Sequence, residues 1–155
     1  MTKRHTLEET YDRCVSEGQI LQIEELNLKK AETVLSHTRN EFEFLTSSLI
    51  KSGKEMPSWN FIYRNYYDIL HELCEALLRL DKTKARTHQA LFSYLCMKHP
   101  YLELDWDFFE KIRTKRNGIM YYFETVSYTD WKSVETQIKL YINFISKEIE
   151  KKIKE

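Results

Sequence analysis

Between Trp59 and Leu80 the chain reads WNFIYRNYYDILHELCEALLRL, which is apolar around most of a helix. Trp59, Ile62, Tyr63, Tyr66, Tyr67, Ile69, Leu70, Leu73 and Leu77 leave only Arg64, Asp68, Glu72, Glu75 and Arg79 to share a polar face. A helix of that kind is stable only in the middle of other elements. Ser58 is placed to cap it, and Arg64–Asp68 and Glu75–Arg79 fall at i,i+4 pairing distance. Three Gly and two Pro in 155 residues leave few turns, so the surrounding elements should also be long helices. No segment carries a sustained period of two. The expected fold class is therefore all-α, an antiparallel up-and-down bundle with about four main helices and short extra ones.

Thr6 and Glu9 are spaced as a capping box for a first helix over Thr6 to Glu17, stopped by Gly18. QILQIEEL fits neither period and stays ambiguous. Leu28, Ala31, Val34, Leu35, Phe42, Leu45 and Leu49 carry a second helix to about Lys51. SGKEMP is a loop before the apolar helix, and DKTKAR is a charged turn after it. A shorter helix holds Leu91, Tyr94 and Leu95 and ends before Pro100. The next starts near Asp105. The last has Asp130 as its expected cap and the stripe Trp131, Val134, Ile138, Tyr141, Ile145, Ile149 and Ile153. Residues 1–24 are expected to form an N-terminal helix and connector, and residues 25–155 the bundle of a single domain.

Several function classes drop out on composition. Formal net charge is zero, so any affinity for nucleic acid must come from a local patch. No apolar run approaches the roughly 20 residues that span a bilayer, and no membrane role is expected. Cys14, Cys74 and Cys96 are odd in number, lack CxxC spacing and follow no signal-peptide pattern, which suits reduced thiols in a cytoplasmic protein. Three isolated glycines build no phosphate loop, and no cofactor is expected. HELCE brings His71, Cys74 and Glu75 to one face but lacks a second histidine at the next turn, so no metal site is expected.

The segment DWDFFEKIRTKRNGIMYYF carries the functional lead. Trp106, Phe109, Ile112, Ile119 and Phe123 fall on one helical stripe, and Arg116 fills its gap. A guanidinium keeps its charge in any protein environment, so it needs an anionic or hydrogen-bonding partner there. One solution is a carboxylate of the apolar helix, or snorkelling out of the stripe. The other is a phosphate, gripped by Arg116 within the field of Lys111, Arg113 and Lys115, with the Asn117 amide beside it.

Two stretches together give a family pattern. YRNYYDILHELCEALLRLDKTKARTHQALFSYL holds a tyrosine pair (Tyr66, Tyr67), His71 a turn later and His88 opening the next helix; RNGIMYY follows. From about Asn27 to Lys147 the chain resembles HEPN domains, the nucleotide-binding domains of higher eukaryotes and prokaryotes. The resemblance implies a helical bundle that homodimerises, with the arginine helices lining a shared cleft. It also implies RNA or nucleotide as ligand, a toxin–antitoxin or defence role, a nucleotidyltransferase antitoxin as partner, and metal-independent endoribonuclease activity. Arg116 matches the motif arginine, Asn117 its polar neighbour, and Tyr121 stands where the family has histidine. These three are the catalytic candidates that the resemblance implies. A phenol is a weak base at neutral pH where an imidazole is an effective one, so the resemblance supports binding more firmly than cleavage. A non-catalytic interaction module is the alternative expectation.

Overall fold

The structure is a computed structural model that describes residues 5–155, so the expectations resting on residues 1–4 lie outside it. Among the described residues there are six α-helices: α1 (Leu7–Ser16), α2 (Leu28–Ser52), α3 (Trp59–Leu80), α4 (His88–Lys98), α5 (Trp106–Tyr121) and α6 (Tyr128–Ile153). The fold is an all-α bundle, and among the described residues no helix is long and apolar enough to cross a membrane.

The apolar helix lies where its circumference demands. α3 packs against α2, α4, α5 and α6, and Tyr66, Tyr67, Ile69, Leu70, Leu73 and Leu77 are wholly buried. Short connections reverse the chain on either side of it. Thr46 meets Tyr66 at 3.0 Å, while Ala31 and Val34 line a cavity with Ala76 and Leu80, so α2 runs antiparallel to α3. On its other side the Arg116 guanidinium stands over the Tyr67 ring, and the Asn60 amide donates to Glu124 near the end of α5. α5 is therefore also antiparallel to α3. Trp59 against Tyr128, Tyr63 against Trp131, and Asp81 against Lys152 show that α6 runs parallel to α3, across the diagonal of an up-and-down bundle.

The helix ends follow local chemistry. Thr6, Asn27, Ser58, Thr87 and Asp105 each accept a first-turn backbone N–H through the side chain. α6 departs from expectation. Ser127, not Asp130, is its N-cap, and Asp130 closes a capping box from the third helical position. Asp130 bonds the Ser127 N–H at 3.0 Å, and the Ser127 hydroxyl accepts from the Asp130 N–H at 3.0 Å. Ser127→Ala is expected to lower stability by about 1 kcal/mol, read as a shift in the urea midpoint.

Three local details differ from expectation. The chain contains a pair of three-residue strands, β1 (Ile20–Gln22) and β2 (Thr83–Ala85), joined antiparallel with Leu21 opposite Lys84. Runs so short show no alternation, and the pairing exists only through contacts distant in sequence. Phe123 does not extend the α5 stripe. The helix ends at Tyr121, and Phe123 sits at φ 56° and is 95% exposed. On α3, neither expected i,i+4 pair closes to an ion pair: Arg64 turns to the Met120 sulfur at 3.8 Å, and Glu75 faces His71 at 3.7 Å.

Candidate functional site

The strand pair positions one half of the site. The Arg86 N–H donates to the Gln19 carbonyl at 2.8 Å, and the Thr87 hydroxyl donates to the Gln19 side chain at 3.3 Å. Those bonds hold the chain where Thr87 caps α4 and where His88, its first residue, faces α3. The His88 ring lies 4.0 Å from that of His71, centroid to centroid, tilted by 30°. Tyr67, one turn before His71, bonds the His88 Nδ1 at 2.6 Å. Arg116 of α5 completes the group, its guanidinium carbon 5.7 Å from the centre of the Tyr67 ring. Phe92, stacked on Phe109, floors the cluster edge-on to both histidines.

Hydrogen-bond demand fixes much of the chemistry. Burial holds the Tyr67 phenol far above its ordinary pKa, so it keeps its proton. A buried hydroxyl proton needs an acceptor, and His88 Nδ1 is the partner it has. Tyr67 therefore donates, and His88 carries its own hydrogen on Nε2. Both imidazoles are neutral at pH 7. Burial and the Arg116 charge pull His71 down to about 4. Burial, His71 and then Arg116 pull His88 down to about 4. The position of His88 at a helix N-terminus works in the same direction.

Arg116 is only half-buried, yet its Nε is enclosed and bonds to nothing. No ion pair or hydrogen bond to its guanidinium occurs among the described residues. Asp68 is the α3 carboxylate whose ionisation Arg116 favours most, but the two do not close to an ion pair, and burial still raises the Asp68 pKa. Other buried polar groups in the molecule are better satisfied. His99 is buried with both nitrogens engaged, Nε2 with Asp81 at 2.5 Å and Nδ1 with Tyr101 at 2.6 Å, in a network that reaches Glu148 and Lys152. Arg113 is held by Glu110 through two bonds of 2.8 and 3.0 Å, and Glu110 in turn accepts from Gln89. Against these, an unpartnered guanidinium beside two neutral imidazoles stands out.

The basic residues expected to gather around a phosphate divide between two faces of α5. Arg113 and Arg116 turn toward α3 and α4. Lys111 and Lys115 turn toward the start of α6, where Lys111 donates to Ser133 and Lys115 lies near Glu124 and Asp130. Asn117 is half-buried next to Arg116. Tyr121 is 65% exposed in the last turn of α5, within the exposed run Met120, Tyr121, Tyr122 and Phe123. The additional site residues are Tyr67, His71 and His88. All three stand out in the sequence, but what they do follows only from their convergence. Among the described residues no group of three or more His, Cys, Asp or Glu side chains could hold a metal ion.

These features define a class no narrower than a helical bundle with an unpartnered cation and a histidine pair between three helices. No protein-family model, curated protein or solved structure matches the chain.

Proposed function

We propose that this chain is a HEPN-type protein that binds RNA or nucleotide phosphates through Arg116, as a homodimer serving a cytoplasmic toxin–antitoxin or defence role. The observation that carries the reading is the enclosed Arg116 Nε without a partner. Buried polar groups in native proteins are nearly always hydrogen-bonded, so a half-buried arginine whose enclosed Nε has no partner suits a ligand that supplies the acceptor once the side chain shifts outward. A phosphate does so with charge-assisted, bidentate geometry. Zero net charge confines the attraction to this patch and gives a shallow salt dependence, set by a few phosphate contacts.

Metal-independent cleavage is the bolder form of the same reading. Tyr121 lies one turn and more beyond Arg116 and is exposed, so it would reach a phosphate at Arg116 most readily from a second subunit. Incubation of the protein with labelled single-stranded RNA in EDTA tests both forms. Binding that weakens with salt supports the reading, and cutting that Tyr121→Phe abolishes supports cleavage. No affinity for RNA or nucleotides at low salt overturns it.

The exposed apolar run at the end of α5, with Phe61 of α3 also exposed, favours a second reading as an interaction module. A stable complex with a partner such as a nucleotidyltransferase, without RNA affinity, selects that reading.

A further inference from the structure

His71 and His88 are not spent on holding the fold. Tyr67 occupies His88 Nδ1, which leaves the Nε2–H as a donor without a partner. Among the described residues His71 makes no hydrogen bond; the Glu75 carboxylate lies 3.7 Å from its Nε2, and the imidazole side chain is 18% exposed. A ligand can reach it. The two rings, 4.0 Å apart, cannot both carry a charge at modest cost, so the pair can hold one proton. His71 is where that proton goes, because protonating His88 at Nδ1 would reverse its bond with Tyr67 and leave the buried phenol proton without its acceptor.

The charges facing the pair are few. α3 contributes Tyr67, Asp68, Glu75 and the buried Cys74 thiol, and α5 contributes Arg116 and Arg113. Arg113 is neutralised by Glu110, and Asp68 is shared between Arg116 and Arg64. With Glu75 beside His71 set against Arg116, what remains is close to neutral and gains one positive charge when His71 is protonated. Arg116, the His88 Nε2–H and a protonated His71 then offer donors to three oxygens.

We propose that the His71–His88 pair makes the Arg116 site selective for a terminal phosphate, a phosphate monoester, which it binds with uptake of one proton onto His71. The inference rests on the phosphate reading of Arg116. A monoester presents three oxygens and close to two negative charges at neutral pH, whereas an internal phosphodiester has two free oxygens and one charge. The dianion also offsets the Arg116 charge that keeps His71 neutral in the free protein, so ligand and proton bind together. The sign follows. The free pair titrates near 4 and the occupied pair higher, so monoester affinity rises as pH falls from 8. The rise stops near pH 6, where the monoester begins to take up its own second proton.

Calorimetric titration of the whole protein with one RNA sequence bearing a 5′-phosphate or a 5′-hydroxyl tests this, with adenosine 5′-monophosphate and inorganic phosphate as further arms. The expected result is at least tenfold tighter binding of the 5′-phosphate form at pH 6. That preference should fall several-fold by pH 8, and titrations in buffers of different ionisation enthalpy should show net proton uptake, up to one per phosphate. If adenosine 5′-monophosphate competes while inorganic phosphate does not, the monoester is recognised with its nucleoside. If only phosphorylated RNA binds, it is recognised as a strand end. His71→Gln removes no hydrogen bond of the fold and should abolish both the proton uptake and the preference. Equal affinity for the two RNA forms with no proton uptake overturns the inference and leaves the Arg116 reading standing. Absence of binding by either form, and by the nucleotide, overturns both.

Discussion

Trp131→Ala should destabilise the protein by about 3–5 kcal/mol, among the largest losses expected from a single side chain in this fold. The indole is 1% exposed on the diagonal where α6 meets α3. It lies 4.7 Å from the Tyr66 ring and edge-on to Tyr63 at 6.4 Å, and its N–H donates to Glu135 at 3.2 Å. Truncation opens a cavity between the two most extensively packed helices, and the stiff tyrosine rings around it cannot collapse into the space. Natural domains have about 5–15 kcal/mol of stability in total, so the variant should lose roughly a fifth of it or more. For a chain of this size the melting temperature should fall by roughly 10 °C, read by thermal circular dichroism. Trp131→Phe keeps most of the ring volume and should cost less than half as much.

Arg116→Met should behave in the opposite way. Methionine occupies a similar path along the stripe and has no polar group to satisfy, whereas the arginine encloses an Nε without a partner. Loss of the cation–π contact with Tyr67 offsets that gain, so stability should stay within about 1 kcal/mol of the parent. Ligand affinity should not survive the change. Charge-assisted bonds to one phosphate contribute roughly 1.5–3 kcal/mol, so removing them should weaken RNA or nucleotide binding about 10- to 100-fold. Arg116→Lys should recover part of the charge but not the bidentate geometry. Unchanged folding with lost binding separates a site residue from a structural one.

The contrast between these substitutions also shows what could be read from the chain before its structure. The α3 circumference announced a central helix, and the scarcity of glycine and proline announced long neighbours. Both follow from local periodicity, which sequence records directly. Arg116 was visible for the same reason, as a cation on an apolar stripe. The strand pair was not, because Ile20–Gln22 and Thr83–Ala85 are each too short for a pattern and pair across most of the first half of the chain. Yet that pairing sets the position of His88, and with it the meeting of His88 and His71. The split of the basic cluster follows from helix geometry. Lys111 and Lys115 are roughly 40° apart around α5, while Arg113 is roughly 200° from Lys111. At the start of α6, Asp130 has cap chemistry of its own, and only the reciprocal bonds with Ser127 identify it as the third residue of the helix.

Whether the Arg116 guanidinium, without an ion pair or hydrogen bond among the described residues, is a phosphate ligand is the central question. Fluorescence-anisotropy titration of a labelled single-stranded RNA at low salt in EDTA, with the parent protein and Arg116→Met side by side, measures this directly. The account predicts saturable binding by the parent that weakens with added salt, and a loss of at least tenfold in the folded variant. Equal affinity for the two proteins would contradict it.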